Sequence, residues 1–400
     1  MRPASGMMAG PWKRHVTEYH TVKQLMLRSL ARLGQRLDLK HPLVPADIHN
    51  ILIMQTGGLG DCLMLFPAIQ ALHDAFPLAA ITLLTEQWPL VAPLFPLNQV
   101  IARSIVLDFQ QRHRGIRGKL RLIRELRRHA FDLIYSPSRG FGMSENALLT
   151  WLMGAPYRLG FRQAGAGFSH TTSLELQPDQ PLLTQNLALL TRAGITVHHR
   201  DIRVHIPEAA HAAVTIHCQR WGIVPQAQLI AVHPGASWQA HLKAWPLAHF
   251  AALIERLLHE SHATIVLLGT ASERAHWEHT QGALQHPRFI NSMGQLTLTE
   301  TAALLQRTRL FLGNDSGPLH LATALQVPAV AIFGATSPLQ ILTAPQVCTV
   351  VRTGIACSPC YIHQAFYTQP PCQIECLRLL TVDDVLAAIT RTLPLRCHSA

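Results

Sequence analysis

Short apolar runs alternate with longer segments of helical periodicity along the first half of the chain. The runs are ILIMQ, AITLLT, SIVLDF and DLIYS, each of five or six residues. Apolar runs of this length are typical of buried strands. The segments LMLFPAIQALHDAF and KLRLIRELRRHAF lie between them and place apolar residues three or four positions apart, which predicts helices. This alternation indicates βαβ units and a parallel sheet.

The second half repeats the same pattern. The strand candidates are LIAVHPG, TIVLLGT, RFINSMG, LFLGND and AVAIFGAT, and the helix candidates are LAHFAALIERLLHES, LTETAALLQRT and LHLATALQ. Thr297 and Glu300 have the spacing of a capping box at the start of one helix. We therefore predict an α/β fold of two Rossmann-like domains facing each other across a cleft.

A polar stretch from about Thr196 to Gln228 is the most plausible boundary between these halves. It predicts an N-terminal extension over 1–50, a first domain over 51–210 and a second domain over 211–400. Ligands of such folds bind where the carboxyl ends of the strands meet. Functional residues are expected in the turns that follow the strands.

The composition is that of a folded protein with an acidic partner. The chain is 48% hydrophobic and 14% charged, and its formal net charge is +11. Such an excess of positive charge favours nucleic acid, an anionic membrane surface or a phosphorylated substrate as partner. Charge alone does not choose among these three classes.

No segment of the sequence predicts secretion or a membrane span. The N-terminus lacks an apolar run followed by a cleavage site, and the long apolar stretch 319–335 is interrupted by His320, Gln326 and Pro328. We therefore predict a cytoplasmic protein, in which cysteines are reduced.

A glycine turn, TGGLGDCL at 56–63, joins the first strand to the first helix. A dinucleotide site would use such a turn, with Glu86 as the ribose ligand, but Leu63 stands in the place of the third glycine. Asp61 would also oppose the charge of a pyrophosphate at a helix start. Asp61 fits better as the N-cap of the helix, as a base at the floor of the cleft, or as both.

Three turns of the second half carry groups that suit a nucleotide sugar. In NDSGPLH the helix start, the Ser316 hydroxyl and the His320 ring can donate to a diphosphate, and Asp315 can accept from a sugar hydroxyl. Lys243 follows the HPGAS loop and suits a phosphate, and Glu273 in GTASER suits ribose. Each has a simpler interpretation, namely a common turn, a solvated lysine or a residue that opens a helix.

Several segments together resemble glycosyltransferase family 9, the ADP-heptose:lipopolysaccharide heptosyltransferases. They are GGLGDCLMLFPAIQAL, HPGAS with KAWP, and NDSGPLHLATALQVPAVAIFGATSP, and they occur in family order. The resemblance extends from about Ile51 to the C-terminal helix. It implies a GT-B architecture and an inverting transfer that needs no cofactor for catalysis.

The resemblance also implies roles for individual residues. Asp61 matches the general base, and Gly57, Gly58 and Gly60 match the loop on the acceptor side. The matched donor-binding residues are Ser237 and Lys243 at the diphosphate, Glu273 at the ribose, and Asp315, Ser316, Gly317 and His320 in the donor turn.

Two basic segments are candidates for contact with an anionic surface. VKQLMLRSLARLGQRL in the N-terminal extension is amphipathic and predicts either a membrane-surface helix or a helix packed on the first domain. The stretch from Arg112 to Arg128 can serve solubility or meet acidic groups of a lipid-linked anionic saccharide acceptor. It lacks interleaved aromatic residues, so a nucleic-acid partner is not predicted.

The C-terminal region contains four closely spaced cysteines, Cys357, Cys360, Cys372 and Cys376. Their number and softness suit a structural zinc or iron site. Reduced thiols in a packed loop and disulfides are the alternatives.

The sequence thus predicts an inverting, metal-independent transferase that moves heptose from ADP-heptose to the lipopolysaccharide inner core at the cytoplasmic face of the inner membrane. One alternative keeps the fold but changes the acceptor to an autotransporter protein, or the donor to another nucleotide sugar. A second alternative is a non-catalytic nucleotide-sugar-binding protein. The presence of Asp61 beside a complete donor turn argues against it, because a binding protein needs no base.

Overall fold

The computed structural model of the chain describes ten segments. They are residues 47–86, 88–108, 112–113, 115–137, 143–162, 167–177, 179–236, 240–282, 284–360 and 374–393. The predicted N-terminal helix, Ser237 and Cys372 lie outside the described residues.

The first domain is built on a six-stranded parallel sheet. Its strands are β1 (Asn50–Gln55), β2 (Ala80–Thr85), β3 (Ile101–Val106), β4 (Leu133–Ser136), β5 (Tyr157–Phe161) and β6 (Thr172–Leu174). Its helices are α1 (Leu59–Leu63), α2 (Phe66–Ala75), α3 (Trp88–Val91), α4 (Gly115–Arg127), α5 (Met143–Met153) and α6 (Leu182–Arg192). The strand order is β3-β2-β1-β4-β5-β6, and all pairs are parallel.

The second domain repeats this design. Its strands are β7 (Leu229–His233), β8 (Thr264–Leu267), β9 (Phe289–Asn291), β10 (Leu310–Asn314), β11 (Ala329–Ile332) and β12 (Cys348–Val351). Its helices are α7 (Glu208–Arg220), α8 (Ala240–Lys243), α9 (Leu247–Glu260), α10 (Ala271–Gln281), α11 (Leu298–Leu305), α12 (Gly317–Ala324), α13 (Pro338–Ile341), α14 (Glu375–Arg378) and α15 (Val382–Thr392). The order β12-β11-β10-β7-β8-β9 is again fully parallel.

Burial of both sheet faces explains the continuous apolar runs in the sequence. Every residue of β7, β10 and β11 is buried, and in β1 only Asn50 is partly exposed. A parallel sheet covered by helices on both faces requires this composition. The prediction of two Rossmann-like α/β domains is confirmed.

Each sheet reverses its strand order at one place. The reversal lies between β1 and β4 in the first domain and between β7 and β10 in the second. Loops diverge at such a switch point and leave a crevice at the carboxyl ends of the strands. The glycine turn follows β1, and the NDSG turn lies at the end of β10. Both predicted motifs therefore stand at switch points.

Capping boxes define the starts of three helices in the second domain. Thr297 accepts the amide of Glu300, whose carboxylate accepts the amide of Thr297 at 2.7 Å. The predicted capping box is confirmed, and α10 and α15 begin in the same way. In the part of the chain that the structure describes, no helix has the length and apolarity needed to cross a membrane.

Candidate active site

The loop after β1 is held from two sides. The Gly57 amide donates to the side-chain oxygen of Gln55 at 2.9 Å, and the Thr56 hydroxyl accepts from the Asn146 amide at 2.9 Å. Gln55 and Asn146 are both buried. The polar core around them fixes the path of the glycine turn.

Asp61 is seated within this loop as the third residue of α1. One carboxylate oxygen, Oδ2, accepts the amide of Gly58 at 3.1 Å, so Asp61 helps to start the helix. A Cβ on Gly57 would lie 2.3 Å from that oxygen, which is too close for any side chain. Asp61 is half-buried. The predicted N-cap position of Asp61 is wrong, because Gly58 is the N-cap of α1 and Asp61 supports it from the third helical position. The role of Asp61 as a base stays a prediction.

Asn314 at the end of β10 organises the loops of the second domain. Its side chain is fully buried, donates to the carbonyl of Pro234 at 2.8 Å and accepts the amide of Trp245 at 3.0 Å. One amide side chain therefore joins the strand end to the HPGAS loop and to the segment after α8. Sequence reasoning placed Asn314 in the turn but gave it no function. A polar residue ending an otherwise apolar strand was the available signal.

Lys243 and Asp315 form an ion pair that the sequence did not predict. The lysine Nζ lies 2.8 Å from Oδ2 of Asp315, and the side chains are only 12% and 4% exposed. Each was expected to contact the donor separately. Because the pair neutralises itself, Lys243 offers a diphosphate less charge than an unpaired lysine would. Its contact with phosphate stays a prediction.

Glu273 and Ser316 are joined through a buried histidine, His233, at the end of β7. The histidine Nδ1 lies 3.1 Å from the Ser316 hydroxyl, and its Nε2 lies 3.6 Å from Oε1 of Glu273. The other carboxylate oxygen of Glu273 accepts from the amide and hydroxyl of Thr270. Burial raises the pKa of Glu273, but the interactions with His233 and Thr270 outweigh it and lower the pKa to about 2. Glu273 is therefore ionised at neutral pH, and its ribose contact stays a prediction.

The loop that carries Asp61 (56–63) and the NDSG turn (314–317) contact each other across the domain interface. A Cβ on Gly60 would lie 2.2 Å from Cδ2 of His320, and a Cβ on Gly317 would lie 2.6 Å from Cδ2 of Leu59. The backbone of each turn thus packs directly on a side chain of the opposite domain. His320 is 5% exposed. The loop of Asp61 and the turn of Gly317 and His320, although more than 250 positions apart in sequence, therefore contact each other.

Alanine at Gly60 is expected to lower turnover by about tenfold to a hundredfold, because the new methyl group would push Asp61 away from the donor turn. Gly58 is the matched control, since a Cβ there would have no neighbour within 4 Å. Steady-state rates of Gly60→Ala and Gly58→Ala check this. Equal rates for the two variants would contradict the packing of Gly60 on His320.

The described cysteines of the C-terminal region do not form a metal site. Cys357 and Cys360 are exposed, whereas Cys376 is 2% exposed within the core of the second domain. Among the residues that the structure describes, no group of three or more His, Cys, Asp or Glu side chains could hold a metal ion. The fourth predicted ligand, Cys372, is outside them.

Comparison with known proteins identifies the family to which this arrangement belongs. Residues 119–368 match the model of glycosyltransferase family 9 (heptosyltransferase). The chain belongs to glycosyltransferase family 9. It is 25% identical over 303 residues to lipopolysaccharide heptosyltransferase 2 of Escherichia coli K12, a match that covers 72% of this chain and 84% of the relative.

Solved structures of glycosyltransferases share the fold. The E. coli ADP-heptose lipopolysaccharide heptosyltransferase II superposes with a TM-score of 0.62 at 21% identity, covering 86% of this chain and 98% of the other. TibC, an iron-containing dodecameric glycosyltransferase of enterotoxigenic E. coli, superposes with a TM-score of 0.53 at 17% identity, covering 86% and 76%. The predicted GT-B architecture is confirmed, and this family 9 chain is a glycosyltransferase.

Proposed function

We propose that this family 9 glycosyltransferase transfers heptose from ADP-heptose to the inner core of lipopolysaccharide, with inversion and without a catalytic metal. The observation that carries the proposal is the contact between the Asp61 loop and the donor turn. This contact supports a reaction centre to which one domain contributes a carboxylate and the other a helix start. The relatives' names supply the donor and the acceptor class.

The chemistry follows from this arrangement as a single displacement. Asp61 accepts the proton of an acceptor hydroxyl while that oxygen attacks the anomeric carbon of the sugar. The bond from that carbon to the diphosphate breaks as the new bond forms, and ADP leaves on the far side. Attack opposite the leaving group inverts the configuration of the anomeric carbon.

The second domain supplies stabilisation for the departing diphosphate. The start of α12 presents the positive end of the helix dipole, and the Ser316 hydroxyl is placed at that end. Fixed dipoles that face the developing charge can replace the electrostatic function of a metal ion. For this reason we propose a metal-independent reaction.

The first experiment is mass spectrometry of a heptose-deficient lipopolysaccharide incubated with the protein and ADP-heptose in the presence of EDTA. The expected result is a mass gain of one heptose. The anomeric configuration of the product, read by NMR, tests inversion. A gain that disappears with EDTA and returns with iron or zinc would overturn metal independence. Transfer to an autotransporter protein and not to lipopolysaccharide would show that the acceptor is a protein.

Helix α4 supports a further part of the proposal, contact with the anionic membrane surface that carries the acceptor. Arg117, Arg121 and Arg124 are exposed and follow the spacing of one helix face. Beside them Ile116 and Leu120 are 78% and 44% exposed. Apolar side chains flanked by arginines suit the headgroup region of a bilayer. The helix begins on the same edge of the sheet as the Asp61 loop, because it follows β3.

Replacing these three arginines with glutamine is expected to weaken binding to anionic vesicles by about a hundredfold, since each basic residue near such a surface contributes about 1 kcal/mol. Co-sedimentation with phosphatidylglycerol vesicles measures this. The matched control replaces Arg220, Arg309 and Arg391, which are exposed on the second domain. Equal losses in the two triple variants would mean that net charge alone drives binding.

A further inference from the structure

A buried histidine links two residues of the proposed donor site that the sequence treated separately. His233 ends β7, the strand at the switch point of the second sheet, and its side chain is 6% exposed. One ring nitrogen lies 3.1 Å from the Ser316 hydroxyl and the other 3.6 Å from the Glu273 carboxylate. The three side chains form a continuous polar chain that ends at the start of α12.

The Ser316 hydroxyl does not cap its own helix. Ser316 is the N-cap of α12 with an extended backbone, yet its side chain accepts no helix amide, and the Leu319 amide is satisfied by the main-chain oxygen of Ser316 at 3.1 Å. Thr270, Thr297 and Thr381 occupy the same position in α10, α11 and α15, and each accepts the expected amide. The hydroxyl of Ser316 is thus directed to His233 instead.

Glu273 is fixed so that one oxygen faces the histidine. Its Oε2 accepts from the Thr270 amide at 2.7 Å and from the Thr270 hydroxyl at 2.9 Å. Its Oε1 occupies the space that a side chain at Gly235 would take, because a Cβ there would lie 1.9 Å from that oxygen. The glycine of the HPGAS loop therefore makes room for the contact between carboxylate and imidazole.

The direction of the Ser316 hydroxyl hydrogen depends on whether His233 is a neutral imidazole or an imidazolium. Glu273 is an anion and keeps a hydrogen on the nearer ring nitrogen, Nε2. In a neutral ring Nδ1 is then an acceptor, so Ser316 donates to it and turns its lone pairs outward. In an imidazolium Nδ1 donates to Ser316, and the hydroxyl hydrogen is released toward the cleft. Only the imidazolium state suits a diphosphate, because the oxygens of a diphosphate accept hydrogen bonds and need a donor.

We propose that His233 is a positioning residue which, as an imidazolium held by Glu273, turns the Ser316 hydroxyl toward the diphosphate of the nucleotide sugar. This inference rests on the proposed donor site. The neighbouring charges do not replace this contact, because Asp315 beside Ser316 is already paired with Lys243. The remaining titratable group of the donor turn is His320, on α12.

Two substitutions separate the two contacts of His233. His233→Asn places an amide nitrogen near the position of Nδ1, so that it can donate to Ser316 at any pH. His233→Gln reaches the position of Nε2 and retains the contact with Glu273, but it offers nothing to Ser316. Both replacements are amides smaller than or similar to imidazole. Thermal melting of each variant shows whether it is folded.

The measurement is the dissociation constant of ADP-heptose, without acceptor, by calorimetry at about pH 6 and about pH 8, a range in which imidazoles change charge. Each phosphate of a sugar nucleotide has one ester bond and one anhydride bond, so it carries no group that titrates between these two pH values. We expect wild-type affinity to fall by about tenfold from the lower to the higher pH, the order expected for one hydrogen bond to a charged ligand. His233→Asn is expected to bind equally at both values, near the wild-type affinity at the lower pH.

His233→Gln is expected to bind about tenfold more weakly than the wild type at the lower pH, as is Ser316→Ala, and the double variant is expected to lose no more than either single variant. Additive losses of affinity in the double variant would overturn the proposed role of His233 but not the donor site. The same pH dependence in His233→Asn and the wild type would have that meaning too. If neither histidine variant folds, the wild type and Ser316→Ala are compared instead. Only the wild type is expected to change its affinity for ADP-heptose between the two pH values. A wild type that does not bind ADP-heptose would overturn both this inference and the proposed function.

Discussion

Asparagine in place of Asp61 is expected to lower turnover by about 10²- to 10⁴-fold while the affinity for ADP-heptose stays within about twofold. The amide cannot accept the proton of the acceptor hydroxyl, but it has nearly the same shape. Its oxygen can still accept the Gly58 amide, which the carboxylate accepts at 3.1 Å. The helix start should therefore survive. Initial rates with saturating acceptor, together with calorimetry of donor binding, separate the two effects.

The control for this prediction is Asp61→Ala. It removes both the base and the bond to Gly58, so it should lower turnover at least as far and also lower the melting temperature. A rate for Asp61→Asn within threefold of the wild type would exclude Asp61 as the base. A loss of donor affinity equal to the loss of turnover would assign Asp61 to binding instead.

Methionine in place of Lys243 is expected to destabilise the second domain by about 3 kcal/mol, because it removes the positive charge that is paired with the buried carboxylate of Asp315. The ion pair has a separation of 2.8 Å, and Asp315 is only 4% exposed. Removal of both charges in Lys243→Met with Asp315→Asn should restore most of the stability, since no uncompensated charge remains. Urea denaturation of the wild type, Lys243→Met, Asp315→Asn and the double variant measures the free energies of unfolding.

An exposed pair provides the comparison for Lys243. Arg274 and Glu278 lie 2.8 Å apart on α10 with side chains 40% and 44% exposed. Arg274→Met should cost no more than about 0.5 kcal/mol, as is usual for solvated pairs on a helix. If Lys243→Met costs as little as Arg274→Met, burial does not strengthen the pair, and the two residues are held by the loops alone.

The sequence was sufficient to predict the fold because its signals were local. Apolar runs, helical periodicity and a capping box at Thr297 each depend on a few adjacent residues, and the two switch points follow from βαβ order. The same local signals placed Asp61 at a helix start, but as its N-cap, whereas Gly58 is the N-cap and Asp61 is the third residue of the helix.

Contacts between distant segments could not be predicted. Lys243 and Asp315 were each assigned to the ligand because charged residues near a phosphate site are usually interpreted one at a time. His233 stands at the end of a strand before the HPGAS loop, and no spacing in the sequence links it to Ser316 or Glu273. Such relations depend on how the HPGAS loop, α10 and the NDSG turn are placed in space, and pattern analysis does not give that placement.

The packing of each turn on the opposite domain restricts how the protein can be recombined. Gly60 accommodates His320, and Gly317 accommodates Leu59, so each domain carries half of two matched pairs. A chimera that takes its first domain from one family member and its second from another would have to inherit both pairs intact. Where a larger residue stands at either glycine position, the two halves would fold separately but fail to close. Second domains, which we propose to bind the donor, can therefore be exchanged only between proteins whose turns fit each other.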